Sequence, residues 1–176
     1  MKKSSAAFLA AAGMALAGAA YADYRVVINR VDANGPGEKL GEVDIAEAKT
    51  GGVVFTPALK GLPAGEHGFH VHVNPSCAAK EKDGKLEPGE AAGPHLDPHK
   101  AGVHAGSSGG GHLGDLPPLQ VDGTGVATQP VTAPRLKLAD LKGHALMIHA
   151  GGDNNADQPL PNGGGGARIA CGVISK

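Results

Sequence analysis

Tryptophan is absent from this 176-residue chain, and tyrosine and phenylalanine number only two and three. A core so poor in aromatics must be filled by Val, Ile, Leu and Ala. No apolar run reaches the roughly 20 residues that a membrane-spanning helix needs. The nearest, 6–20, is built from Ala, Gly, Leu, Met and Phe and is soon followed by Asp23. Nor is there a clustered basic surface of the kind nucleic-acid binding requires. Helix signals are thin, confined to possible single turns at 46–50 and 137–142, and no internal repeat is evident.

The first residues read as an address rather than as fold. Met1, Lys2 and Lys3 make a short basic start, 6–20 is the apolar stretch, and Ala20-Tyr21-Ala22 is a small-x-small cleavage pattern. Together they predict a secretory signal peptide over 1–22 and export to the periplasm. No cysteine follows the cleavage site, which argues against a lipoprotein anchor, so no membrane attachment is expected after cleavage. The remaining 23–176 is a normal length for one domain. Without Lys2 and Lys3 it carries 14 basic against 17 acidic residues, a slightly acidic balance.

Only Cys77 and Cys171 are available for pairing in an oxidising compartment, so an intramolecular disulfide is predicted. Short β-branched runs punctuated by Gly, Pro and Asn occupy 24–29, 41–45, 52–57 and 65–73. They resume at 119–121, 125–131, 145–149 and 168–174. Spacing of this kind predicts an all-β antiparallel sandwich or barrel. Two stretches lack any period: 74–118, rich in Gly, Pro, Ala and His, and 150–167. Structureless loops of more than about 15 residues inside a compact domain are usually functional.

Chemistry-bearing residues concentrate there. His70 and His72 sit two apart in the fourth strand, so both imidazoles point to one face. His149 ends a later apolar strand. The long loop adds His95, His104, His112 and Asp115, a set of three imidazoles and one carboxylate suited to zinc. Six imidazoles and a carboxylate exceed one tetrahedral site, so two adjacent sites are predicted. His99, with His95 and Asp97, forms a competing local clip.

Segments 68–77, 92–98, 111–117, 147–154 and 163–173, taken in order, resemble the copper,zinc superoxide dismutase family. Gly151-Gly152-Asp153-Asn154 after the late histidine is similar to its bacterial periplasmic branch. The resemblance implies an eight-stranded antiparallel Greek-key sandwich, or flattened barrel, with two long functional loops. It implies copper held by His70, His72, His95 and His149. Zinc would be held by His95, His104, His112 and Asp115, with His95 bridging the ions as an imidazolate and serving as proton carrier. Asp153 would orient a histidine of each site, and Arg168 would dock the superoxide anion. Family spacing favours His104 over His99.

The implied activity is dismutation of superoxide to dioxygen and hydrogen peroxide. Its rival is a non-catalytic copper-binding or copper-delivery protein on the same fold. His67 reads as a structural hydrogen-bonding residue and His144 as a turn residue. Lys80, Lys82 and Lys85 surround Asp83-Gly84 and read either as a solvated turn or as steering charges for superoxide. Two departures stand out. Segment 106–110 lacks the aromatic interface anchor of dimeric relatives, leaving monomer and homodimer both open, and Pro94 stands where many relatives have Gly.

Overall fold

Alternation of buried and exposed residues builds the strands. In β3 (Val53–Lys60) the side chains of Val53, Phe55, Pro57 and Leu59 turn inward while their neighbours face out. In β1 (Tyr24–Asp32) Val26 and Ile28 do the same. The computed structural model describes residues 22–175; the signal peptide expected over 1–22 lies outside them except for its last residue. Between β1 and β3 runs β2 (Gly35–Glu47), and β4 (Gly65–His67) and β5 (Phe69–His72) follow. A hairpin of β6 (Lys80–Lys82) and β7 (Lys85–Glu87) interrupts the long loop. After it come β8 (Leu119–Val121), β9 (Val126–Ala127), β10 (Val131–Ala133), β11 (His144–His149) and β12 (Arg168–Ile174).

One eight-stranded antiparallel sheet runs in the order β10-β3-β2-β1-β12-β11-β5, with β9 also on β3. β1 lies beside β12, and β5 beside β11, so long crossovers connect the neighbours. The sheet curls back on itself: Phe55 of β3 meets Phe69 of β5 edge to face with centroids 5.8 Å apart, although four strands separate them in the sheet order. Leu, Val and Ile side chains fill the space around this pair. The all-β architecture expected from the strand spacing is the one observed.

Three local expectations differ. The strand expected over 65–73 is two strands broken at Gly68, β4 pairing with β8 and β5 with β11. Gly68 instead exchanges backbone hydrogen bonds with Gly151 and His149. Residues 46–47 extend β2 rather than begin a helical turn, whereas Leu138–Asp140 does form one 3-10 turn. Within 74–118 the sequence contains β6 and β7, joined by Asp83 and Gly84 at φ 51° and 77°. Both positive angles match the two-residue hairpin turn that Asp-Gly favours. Among the described residues no helix is long and apolar enough to cross a membrane.

Candidate metal centre

β5 is the last strand of the sheet, and its outer edge is paired by the long loop. Val71 N–H donates to Gly114 O (2.9 Å), Leu96 N–H to Val71 O (2.8 Å) and Leu116 N–H to Phe69 O (3.2 Å). This register sets His95 opposite His72 and Asp115 opposite His70. The backbone approach at Gly114 is so close that a Cβ there would collide with the Val71 carbonyl. On the other side of β5, Met147 pairs with His70 and carries His149 two residues on. The second loop closes from Gly151 to Gly165 and presents Asp153.

Two donor groups result. His70, His72, His95 and His149 form one; His95, His104, His112 and Asp115 form the other, and His95 is common to both. Four of the six rings have their outward nitrogen committed. His72 Nδ1–H donates to Gly93 O (2.8 Å) and His149 Nδ1–H to Gly166 O (3.1 Å). That leaves their Nε2 atoms to converge 3.4 Å apart. Asp153 accepts from His70 Nε2–H at 2.7 Å and from His104 Nε2–H at 2.8 Å, so one carboxylate orients a histidine of each group. Gly163, at φ 75°, lies against this pair; a Cβ there would collide with Asp153 Oδ1.

Whether metal ions suit these groups can be tested on the inner atoms. His70 Nδ1, His104 Nδ1, His112 Nδ1 and Asp115 Oδ2 are all buried without a hydrogen-bond partner. His104 Nδ1 and Asp115 Oδ2 lie 3.0 Å apart yet are not aligned as donor and acceptor. Orphaned buried polar atoms are costly unless something else satisfies them. Four converging on two centres fit a cation at each. Imidazole-only donors at one centre suit copper, and the three-imidazole, one-carboxylate set suits zinc.

Charge is distributed unevenly between the groups. Burial, reinforced by the neighbouring imidazoles, pushes His72 well below the ordinary histidine value and lowers His149 to about 3. Burial also lowers His95 to about 4, against the pull of Asp115. These rings are therefore neutral at physiological pH, as a ligand must be. His104 is the exception. Burial disfavours its charge, but Asp115 and Asp153 outweigh that and raise it to about 9. In return, burial of Asp115 and Asp153 is outweighed by the imidazoles against them, His104 and His95 beside Asp115 and His104 and His70 on Asp153, and both carboxyls sit well below their usual range.

Arg168 lines the same cleft as His72, His95, His112 and His149, a cavity of about 720 Å³. Its Nη1 donates to Gly89 O (2.7 Å) and its Nη2 to Gly93 O (2.8 Å). The disulfide Cys77–Cys171 pins that loop to β12, three residues from Arg168. Lys82 and Lys85 also line the cleft. Sequence reading missed Glu90, which pairs with both Arg168 (3.3 Å) and Lys82 (3.2 Å), and Asp157, which accepts from His104 N–H (2.8 Å). Neither carries a local motif.

The remaining histidines stand apart from both groups. His99 is exposed, and Asp97 spends its carboxylate on Ala101 and Gly102 N–H, so the alternative clip is not assembled. His67 is buried between Pro63 O and His149 O. His144 begins β11 and contacts Val73 O.

Residues 39–174 match the family model described as copper/zinc superoxide dismutase. Superoxide dismutase [Cu-Zn] 2 of Salmonella typhimurium is 58% identical over 162 residues, covering 92% of this chain and 93% of the relative. The copper/zinc superoxide dismutase of Brucella abortus superposes with a TM-score of 0.84 at 51% identity, over 86% of this chain and 98% of the other. The solution structure of the monomeric enzyme from Salmonella enterica gives 0.76 at 58% identity over the same shares.

Proposed function

This chain belongs to the copper/zinc superoxide dismutase family, and from that membership we propose which of its residues perform the reaction. Its activity is the dismutation of superoxide to dioxygen and hydrogen peroxide, with copper and zinc as cofactors. Copper would be held by His70, His72, His95 and His149, and zinc by His95, His104, His112 and Asp115. When bound, copper supplies a one-electron redox couple for alternate superoxide ions, and zinc a redox-silent charge. The observation that carries this reading is the shared His95, which donates Nδ1–H to Asp115 and leaves Nε2 for the first group.

Around those ions the chain's own groups handle charge and protons. Arg168 offers a fixed guanidinium in the cleft, suited to docking a small anion. Peroxide formation consumes two protons, both drawn from solvent; His95 Nε2, which the Nδ1–H to Asp115 hydrogen bond leaves unprotonated, would take up one from water and pass it on, and water would deliver the other directly. A proton taken up at Nε2 would be released readily, because burial keeps the ring's basicity low. Asp153 holds His70 and His104 in the tautomers that present Nδ1 inward. Export to the periplasm, through the 1–22 segment, accords with the disulfide between Cys77 and Cys171.

The direct test is to purify the mature protein, measure copper and zinc, and assay dismutation before and after chelation. Activity should vanish with the metals and return when both are restored. Full copper occupancy without turnover would refute the enzymatic assignment.

Zinc uptake should also depend on pH in a specified direction. His104 has its pKa raised to about 9, so at pH 8 it is still largely protonated, and zinc must displace that proton. His104 thus contributes close to one released proton at pH 8, and the release fades as pH rises through about 9. Calorimetric zinc titrations of the metal-free protein in buffers of different ionisation enthalpy measure this. A release that stays constant from pH 8 to 10 would contradict it.

A further inference from the structure

Arg135 lies in the chain after β10, outside both loops, yet its guanidinium is given over to the zinc-side loop. Its Nε donates to Ser107 O (3.1 Å) and Nη1 to Gly111 O (3.0 Å). Its Nη2 reaches Gly106 O (3.5 Å) and makes a short contact with His112 O. Among the described residues no carboxylate pairs with it, so four carbonyl oxygens from one seven-residue segment are the groups that satisfy this cation. One of them belongs to His112 itself.

Segment 106–112 needs such an anchor. It reads Gly-Ser-Ser-Gly-Gly-Gly-His, so before His112 it has no apolar side chain to bury. Glycine also loses more conformational freedom on ordering than any other residue. Its other ties are sparse: Gly109 N–H to Gly106 O, and His112 N–H to Val103 O at 3.0 Å. His104, just ahead of the segment, is separately fixed by Asp157 and Asp153. Nothing comparable holds the His112 ring, whose Nδ1 is orphaned 3.4 Å from Asp115 Oδ1.

We propose that Arg135 is a positioning residue for zinc, clasping the 106–112 backbone so that His112 is aimed at Asp115 before the ion arrives. This rests on the assignment of His95, His104, His112 and Asp115 as the zinc group. A planar fork with five donors suits four carbonyls in a way that a single ammonium does not.

The test is zinc affinity by chelator competition on full-length mature Arg135→Met and Arg135→Lys, with cobalt as a visible probe of the same group. Arg135→Met should bind zinc about 10- to 100-fold more weakly, the usual cost of losing an outer contact to a metal ligand. Its cobalt absorption should shift as His112 detaches, while copper affinity changes less than threefold. Arg135→Lys should recover only part of the loss, and it serves as the readout if the methionine variant does not fold. A zinc affinity within threefold of wild type together with an unchanged cobalt spectrum, in whichever variant folds, overturns the clasp. A lowered unfolding temperature with unchanged zinc affinity overturns it too, since that is a merely structural role. Wild-type protein that takes up no zinc would overturn the zinc assignment itself, and the clasp with it.

Discussion

Replacing Arg168 with methionine should lower kcat/KM for superoxide about 10- to 100-fold while copper and zinc stay bound. Each tenfold corresponds to about 1.4 kcal/mol. A unit charge about 5 Å from an anion supplies roughly 3 kcal/mol at the effective dielectric of a partly exposed site. Arg168 is well placed to deliver most of this, because Gly89 O and Gly93 O hold its fork in place. Glu90, at 3.3 Å, offsets part of the attraction, which keeps the expected loss below the full Coulomb figure. The rate should also lose much of its dependence on ionic strength, since screening acts on that charge. Arg168→Lys should fall between, retaining charge without the fork. Stopped-flow decay of superoxide at several salt concentrations measures all three proteins. An unchanged rate and salt slope in Arg168→Met would remove Arg168 from substrate docking.

The second large effect is expected from Cys77→Ser combined with Cys171→Ser. The bridge spans 94 residues of sequence. Closing a loop of that length stabilises a fold by ~4–5 kcal/mol in the chain-entropy model. For a domain of this size the loss lowers the unfolding temperature by on the order of 10 °C. Activity should fall before the fold does, because the freed loop carries the Gly89 and Gly93 carbonyls. Thermal unfolding and turnover at 25 °C, on matched metal-loaded samples, separate the two effects. A shift under about 2 °C with full turnover would show that the loop is held by other contacts.

Much of the site was legible in residue types, and less of it in geometry. His70 and His72 could be placed because a strand repeats every two residues, and the structure buries both on β5. The inventory of His95, His104, His112 and Asp115 was also readable, since four potential ligands in a Gly- and Pro-rich stretch have few other uses. What could not be read was how the loop docks on β5. That pairing runs through the backbone of Val71, Leu96 and Gly114, which leaves no side-chain pattern. Arg135 and Glu90 were hidden for a related reason. Their partners are main-chain carbonyls, or side chains distant in sequence, and neither residue belongs to a motif. The split of the fourth strand at Gly68 has no side-chain signature, because it rests on backbone hydrogen bonds between Gly68 and the distant Gly151 and His149.

The Gly93 carbonyl accepts from His72 on one side and from Arg168 on the other. A single oxygen atom therefore sets the rotation of the His72 ring and the location of the cation beside it. Displacing that peptide would spoil both at once, so partial assembly should leave an inert protein rather than a redox-active ion beside an undirected cleft. Such an interlock matters for a chain that must fold, oxidise its cysteines and collect two metals as separate events. Damage or delay at any of them would tend to produce silence, not stray chemistry.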